Sequence, residues 1–233
     1  MATNETLYHP AAALVLFKPE GSDSGLYIEY YDMDENGCPV NPRPLSEREA
    51  QKLSKSLDTT AAVTKAFLTP EGLLPPYVLR INPANEGSVV WYTKAQKRML
   101  YFRDSLGLAS RELPVPALVW YADRHRLNVY AVRGNAKPRS GTPLCHAPFF
   151  NIYSNGNVCM GSVAVRIAKS ATLEKFTKAW ESYFFDSYFS HLIGGHNPIA
   201  GNLISLYKEL AGAAQFPVSE LLPNGTTVKD LLR

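Results

Sequence analysis

The chain has 233 residues and three cysteines, and thiols are the side chains here best suited to nucleophilic chemistry. Cys159 ends the stretch NIYSNGNVC, residues 151–159, and follows the pair Asn155-Gly156 by three residues. An Asn-Gly pair is a strong turn signal, because both residue types tolerate a positive φ. We therefore expect Cys159 at the end of a short loop. The position suits a reactive thiol, and it also suits a small hydrophobic residue packed under the turn.

No other set of residues has the spacing of a metal or cofactor site. His191 and His196 are separated by LIGG, which breaks the helical spacing of a zinc pair, so we expect neither metal nor cofactor. His146 and His191 are candidates to approach the Cys159 thiol, and each also fits a structural histidine. The cysteines form an odd set that predicts free thiols rather than a disulfide framework: Cys38, Cys145 and Cys159.

Composition and charge favour an ordinary globular protein of the reducing cytoplasm. The net charge is only +3 and no block of Lys and Arg is present, which disfavours a protein that acts on nucleic acid. The apolar run 11–17 is short, ends at Lys18 and follows no basic segment, so it predicts neither a secretory signal nor a membrane span.

The N-terminal part combines strands and one helix. Residues 11–17 and 25–31 predict a hairpin around the turn KPEGSDSG, and a proline-rich loop follows. Ser46 and Glu49 have the spacing of a capping box, which predicts a helix over 47–57. Its expected core residues are Leu45, Ala50, Leu53 and Leu57.

The middle of the chain predicts strands around one further helix. Residues 77–81 and 88–92 predict strands, and Thr93 predicts the cap of a helix over 94–106. The clearest hairpin is predicted at 117–121 and 127–132, around the polar turn ADRHR. The helix over 94–106 is expected to bury Met99, Leu100 and either Phe102 or Leu106.

Helices dominate the predicted C-terminal part. Thr172 is the expected cap of a helix whose apolar residues recur at helical spacing, and a second helix is predicted over 199–211. Residues 216–233 predict a packed tail with a turn at Asn224-Gly225. In the first of these helices the expected core residues are Leu173, Phe176, Trp180 and Phe184.

This order of elements predicts an α+β fold with a mainly antiparallel sheet and flanking helices. We expect a single domain over residues 1–233. Its core would span about 90–192, with an N-terminal α/β extension at 1–89 and a C-terminal helical tail at 193–233.

The cysteine segment resembles the active site of ubiquitin-conjugating enzymes. That motif reads His-Pro-Asn-Ile, a short turn ending in Gly, an apolar residue and the catalytic Cys, with the Asn eight residues before the Cys. A wider resemblance, roughly over residues 75–233, is to the B proteins of bacterial PRTRC cassettes, which are prokaryotic relatives of those enzymes. It is carried by WYTKAQKRMLYF, PVPALVW, APFFNIYSNGNVCMGS and WESYFFDSYFSH. The positions that match the active-site motif are Asn151, Ile152, Tyr153, Gly156, Val158 and Cys159.

The resemblance implies a conjugating transferase with a conjugating-enzyme-like fold. Cys159 would carry a ubiquitin-like modifier as a thioester, and Asn151 would stabilise the oxyanion formed during transfer to an amine. Asn151 could equally well only bond the loop backbone. The implied partners are the ubiquitin-like modifier, a ThiF-like activating enzyme and a JAB-type peptidase of the same cassette.

The sequence also departs from the motif. Phe149-Phe150 stands where the motif has His-Pro, Pro148 lies one step earlier, and MGS follows Cys159 in place of an acidic residue. If the pair lies in a strand, only one of the two rings can be deeply buried. These departures leave two alternatives open: an inactive binding module for the modifier or the activating enzyme, and a thiol hydrolase pairing Cys159 with a histidine.

Overall fold

A computed structural model describes residues 9–19, 25–57, 67–84 and 86–232. The chain forms two compact units, Met1–Ala61 and Ala62–Arg233. The described residues 67–84 and 86–89 fall in the second unit, and the N-terminal extension at 1–89 stays a prediction. That the whole chain is one domain with a core at about 90–192 stays a prediction.

The first unit contains a three-stranded antiparallel sheet and a helix. β1 (Ala12–Phe17) pairs with β2 (Tyr27–Met33), which confirms the hairpin; residues 20–24 of its turn lie outside the described part of the chain. β3 (Pro39–Pro44) pairs with β2, so the prediction of a loop there was wrong. Prolines are tolerated in β3 because it is an edge strand, where a missing N–H breaks no ladder. α1 (Glu47–Leu57) begins as predicted.

The predicted capping box at the start of α1 is present. The Glu49 N–H donates to the Ser46 hydroxyl at 3.4 Å, and the Ser46 N–H donates to the Glu49 carboxylate at 3.2 Å. An ion pair with Arg43 lowers the pKa of Glu49 to about 2, with help from the Ser46 bonds. Three residues of this helix region that were expected in the core are only half-buried: Leu45, Ala50 and Leu53. The side chain of Leu57 lies outside the described part of the chain.

The second unit is built on a six-stranded antiparallel sheet. The predicted hairpin at 117–132 is its centre, and Trp120 there is fully buried. The inner strands are apolar on both faces because the sheet has a buried cluster on each side. From one edge of the sheet to the other, the strands are β12 (Pro223–Thr227), β10 (Pro143–His146), β9 (Leu127–Val132), β8 (Ala117–Ala122), β5 (Ser88–Thr93) and β4 (Val78–Asn82).

The second unit also has a three-stranded sheet, and its central strand was predicted as a helix. β6 (Gln96–Phe102) lies where a helix over 94–106 was predicted, between β7 (Arg111–Val115) and β11 (Tyr188–Phe189). Leu100 and Phe102 are buried and Met99 is exposed, which is the alternation of a strand. Pairing on both sides, with β7, the next strand along the chain, and with the distant β11, overrides the helical propensity of the segment.

The helices of the second unit follow the site segment. α2 (Leu173–Phe185) is capped by Thr172, whose hydroxyl accepts from the Lys175 N–H, and all four predicted core residues are buried. α3 (Leu203–Glu209) begins later than predicted, because Asn202 caps it. α4 (Val228–Leu231) ends the described chain. Single 3-10 turns occur at Asp104–Leu106, Ile193–Gly195, Leu210–Gly212 and Val218–Glu220.

A helical tail was predicted at 193–233, but this part of the chain also contains a strand. β12 joins the main sheet beside β10, and Asn224-Gly225 lies inside this strand rather than at a hairpin turn. Gly225 has a φ of 85°, and the register shifts there. The mainly antiparallel α+β class is confirmed, and among the strands that the structure describes one pair, β6 and β11, is parallel. Among the described helices, none is long and apolar enough to cross a membrane.

Candidate active site

The candidate active site begins with a buried segment, residues 147–150, that follows β10. Phe149 and Phe150 are only 1% and 2% exposed, so the expectation that one of them would be exposed was wrong. The strand alternation behind that expectation does not apply, because the Phe149 N–H donates to the Ala147 carbonyl at 2.8 Å in a tight turn. Both rings are free to enter the core.

Each ring of this pair packs on a different part of the second unit. The Phe149 ring lies 5.1 Å from Phe184 of α2 and 5.5 Å from Phe189 of β11, centroid to centroid. The Phe150 ring stacks on Tyr207 of α3 at 6.0 Å. The pair therefore ties the segment before the cysteine loop to α2, to α3 and to the second sheet.

Tyr207 also holds the backbone of this segment. Its fully buried hydroxyl donates to the Pro148 carbonyl at 2.5 Å, and burial raises the pKa of Tyr207 well above its ordinary value. A buried carbonyl is costly without a donor, so this bond is part of what keeps residues 147–150 inside the unit.

Residues 151–159 form a small hairpin that ends at Cys159. The Cys159 N–H donates to the Asn151 carbonyl at 2.8 Å, and Ile152 bridges Val158. At the tip the Tyr153 N–H donates to the Asn157 carbonyl and the Gly156 N–H to the Tyr153 carbonyl, both at 2.9 Å. The eight-residue spacing of the motif thus makes Asn151 and Cys159 direct neighbours across the hairpin.

The turn predicted at Asn155-Gly156 is confirmed, with Gly156 in the left-handed region at a φ of 85°. Tyr130 of β9 requires glycine here as well, because a Cβ on Gly156 would lie 2.5 Å from its ring. The Tyr130 hydroxyl donates to the Asn155 carbonyl at 2.7 Å, and the Val129 N–H donates to the Gly156 carbonyl at 2.9 Å. The turn is fastened to the centre of the main sheet.

Cys159 differs from the other two cysteines in its surroundings. It is half-buried at the end of the hairpin, whereas Cys145 is buried in β10 and Cys38 is exposed in the first unit. Burial raises the pKa of the Cys145 thiol, so that thiol is held in its less reactive, protonated form. Of the three, Cys159 combines access with a fixed position.

The carboxamide of Asn151 is hydrogen-bonded to the chain at the end of β11. Its Nδ2 donates to the Tyr188 carbonyl at 2.9 Å, while its Oδ1 accepts from the Ser190 N–H at 3.1 Å and from the Ser190 hydroxyl at 2.8 Å. Asn151 itself has a φ of 60°, a left-handed conformation that asparagine tolerates. One of the two Nδ2 hydrogens is used by Tyr188.

The two histidines predicted as candidates to approach the thiol, His146 and His191, lie in different surroundings. His146 and His196 pack ring against ring with centroids 4.4 Å apart, and burial, followed by the nearby His196, lowers the pKa of His146. His191 lies beside Asn151, whose N–H donates to its carbonyl at 3.0 Å. The polar contact of the His191 ring is with the Ser190 hydroxyl, at 2.9 Å from Nδ1, rather than with the Cys159 thiol. Within the described ranges, no three His, Cys, Asp or Glu residues are grouped to hold a metal ion.

Ser190 and Tyr207 are the site residues that sequence reasoning missed. Ser190 lies 39 residues after Asn151 and Tyr207 lies 59 residues after Pro148, each on a different element from its partner. Ser190 lies in the stretch WESYFFDSYFSH that carries the wider resemblance, but that stretch does not indicate its contact with Asn151. The roles of both residues depend on how distant elements meet.

An antiparallel α+β unit that places a thiol at the end of an Asn-to-Cys hairpin is consistent with the fold of ubiquitin-conjugating (E2) enzymes. The family described as prokaryotic E2 family D matches residues 50–224, about three quarters of the chain, and the chain belongs to this family. No curated protein and no solved structure matches the chain. The narrower resemblance to the PRTRC B proteins stays a prediction.

Proposed function

We propose that this protein carries a ubiquitin-like modifier as a thioester on Cys159 and transfers it to an amine. The observation that supports this proposal best is the direct pairing of Cys159 with Asn151 in a hairpin that is hydrogen-bonded to the main sheet. The chain that contains this hairpin belongs to a prokaryotic E2 family. A thiol suits both halves of such a transfer, because a thiolate is a good nucleophile near neutral pH and a good leaving group afterwards.

The transfer has two steps. In the first, the Cys159 sulfur attacks the activated C-terminal carbonyl carbon of the modifier. The C–S bond forms as the activating group leaves, and the thiol proton passes to solvent. In the second, an amine nitrogen attacks the same carbon. The C–N bond forms, the C–S bond breaks to release the Cys159 thiolate, and the proton that the amine loses passes to solvent.

Asn151 is proposed to act in the second step. Negative charge develops on the carbonyl oxygen as the amine attacks, and a preorganised amide donor stabilises it. The Tyr188 carbonyl accepts from one Nδ2 hydrogen, which leaves the other available to donate to the developing charge. The structural and catalytic roles of Asn151 are thus compatible in one conformation.

The proposed partners follow from the resemblance. A ThiF-like enzyme would activate the modifier with ATP, and a JAB-type peptidase of the same cassette would remove it from targets. We place the protein in the cytoplasm with them, where Cys159 stays reduced.

One alternative is favoured by a specific observation. A binding module that holds the modifier or the activating enzyme without forming a thioester would explain why buried Phe149-Phe150 replaces the His-Pro of the motif. The retained pair of Asn151 and Cys159 favours catalysis. A thiol hydrolase lacks a comparable observation, because the His191 ring contacts Ser190.

The test is a loading reaction with the activating enzyme, the modifier and ATP, resolved on non-reducing gels. We expect an adduct that reductant removes, that is lost in Cys159→Ala and that persists in Cys38→Ala, the control for an exposed thiol. Cys159→Ser should give an oxygen ester that resists reductant. An adduct that survives Cys159→Ala contradicts the assignment, and complex formation without any adduct supports the binding module.

A further inference from the structure

We propose that Ser190 is a positioning residue that fixes the carboxamide of Asn151, with the His191 ring orienting the Ser190 hydroxyl. The proposal deepens the proposed function and rests on it for its catalytic consequence. Its structural part, that Ser190 orders the Asn151 amide, holds independently of any thioester.

The orientation of the Asn151 amide is settled by the groups around it. The Ser190 N–H, at 3.1 Å, and the His191 N–H, at 3.4 Å, can only donate, so the atom they face is Oδ1. The Tyr188 carbonyl can only accept, so the atom it faces is Nδ2. A flipped amide would place donor against donor and acceptor against acceptor.

The Ser190 hydroxyl makes the shortest bond to Oδ1, 2.8 Å. A hydroxyl has a single hydrogen, and two acceptors compete for it: Asn151 Oδ1 and, at 2.9 Å, His191 Nδ1. When Nδ1 carries a hydrogen it donates to the Ser190 oxygen, and the hydroxyl hydrogen is then directed to Asn151. In that tautomer the relay runs from the His191 ring through Ser190 to the amide.

This relay matters because Oδ1 and Nδ2 share one plane. Holding Oδ1 from Ser190 and Nδ2 from the Tyr188 carbonyl fixes that plane, and with it the direction of the second Nδ2 hydrogen. A donor fixed before the reaction stabilises an oxyanion better than one that must first be ordered. Without the hydroxyl, the amide keeps its two backbone donors but turns more freely.

The functional test is single-turnover discharge of the Cys159 thioester to free lysine. We expect Ser190→Ala to load normally and to discharge about five- to tenfold more slowly, the effect of one lost hydrogen bond. Ser190→Thr, which keeps the hydroxyl, should recover most of the rate, and His191→Ala should slow discharge less than Ser190→Ala. Ser187→Ala is the matched control, because its hydroxyl bonds the Phe184 carbonyl near the same helix end without reaching Asn151.

A double-mutant cycle separates positioning from general weakening of the fold. In the Asn151→Ala background, Ser190→Ala should slow discharge no further, because the group it positions is gone. An equal further loss there, or a discharge rate unchanged by Ser190→Ala in the wild-type background, overturns the proposal.

Nuclear magnetic resonance of the free protein tests the structural part without partners. In the wild-type protein one Asn151 Nδ2 hydrogen should exchange with water slowly, and Ser190→Ala should speed that exchange by about fivefold. Unchanged exchange overturns the positioning role. If Cys159 fails to load while exchange responds as expected, the proposed function fails and the positioning stands.

Discussion

Residues 147–150 and residues 151–159 are consecutive, yet different interactions hold them. The first segment is buried and fixed by aromatic rings and one hydroxyl, from Phe149, Phe150 and Tyr207. The second is held mainly by hydrogen bonds, and Tyr153 near its tip is 43% exposed. We therefore expect apolar packing to supply most of the stability of the site, and we propose that the polar groups of the hairpin serve its chemistry. We call these segments the anchor and the cysteine hairpin.

Removing one aromatic ring of the anchor should have the largest effect on stability. Phe149→Ala or Phe150→Ala should each lower the free energy of unfolding by about 3–5 kcal/mol, because each empties a packed site in the core. Tyr153→Ala, in the hairpin, should change it by less than about 0.5 kcal/mol. Denaturant unfolding of the three variants measures the difference. Stability unchanged by either Phe variant would show that the pair is not an anchor.

The hairpin has one position where packing is as strict as in the anchor. Gly156→Ala should cost about 2–4 kcal/mol, because it adds a methyl group against the Tyr130 ring and places alanine at a positive φ. Gly161→Ala is the control: its φ of 53° is also positive, but nothing lies within 4 Å of the added Cβ. It should cost only about 1–2 kcal/mol. Equal losses for the two variants in thermal melts would contradict the role of the Tyr130 contact.

Removing one hydroxyl tests the polar part of the anchor. Tyr207→Phe keeps the ring that stacks on Phe150 and leaves the buried Pro148 carbonyl without its donor. We expect a loss of about 1–3 kcal/mol in denaturant unfolding, with thioester loading retained at temperatures where the variant is folded. A neutral substitution would mean that packing alone holds residues 147–150.

The smallest expected effect is a pH dependence of stability that comes from His146, the residue just before the anchor. The pKa of His146 is lowered in the folded protein, so its contribution to stability is present above about pH 6.5 and is lost as the pH falls through the lowered value. His146→Gln should therefore lose less melting temperature than the wild type between pH 7 and pH 5. His196→Gln should reduce the dependence without removing it, because burial is the larger cause. Identical pH profiles for all three proteins would contradict this account.

The sequence predicts the local parts of this account well. Hairpins such as β8 and β9, the capping box at Ser46 and the apolar stripe of α2 are encoded within a few residues, and all were confirmed. The segment 94–106 was assigned to a helix because its strand partner, β7, lies beyond a turn that the helical pattern does not reveal. The other partner of this strand, β11, lies more than 80 residues further along the chain, so pairing with other strands outweighs local propensity here.

The same limit applies to the site. The spacing of Asn151 and Cys159 predicts that they belong to one loop, and the structure pairs them directly. The burial of both Phe149 and Phe150 depends on a tight turn and on rings from α2, α3 and β11. The Ser190 contact depends on where the chain returns after α2. Neither has a signal in the neighbouring sequence.

We propose that the cysteine hairpin contributes chemistry and the anchor contributes stability, and an Asn151→Ala variant separates these two contributions. Loading and discharge of the thioester should be measured in the same preparation, beside Asn151→Gly, which also lacks the amide but relieves the positive φ. We predict loading within about twofold of wild type and, in both variants, discharge slowed by about a hundredfold or more, the cost of losing an oxyanion donor. An equal loss of loading and discharge, accompanied by a large fall in melting temperature that Asn151→Gly restores, would contradict the claim and make Asn151 a structural residue of the turn.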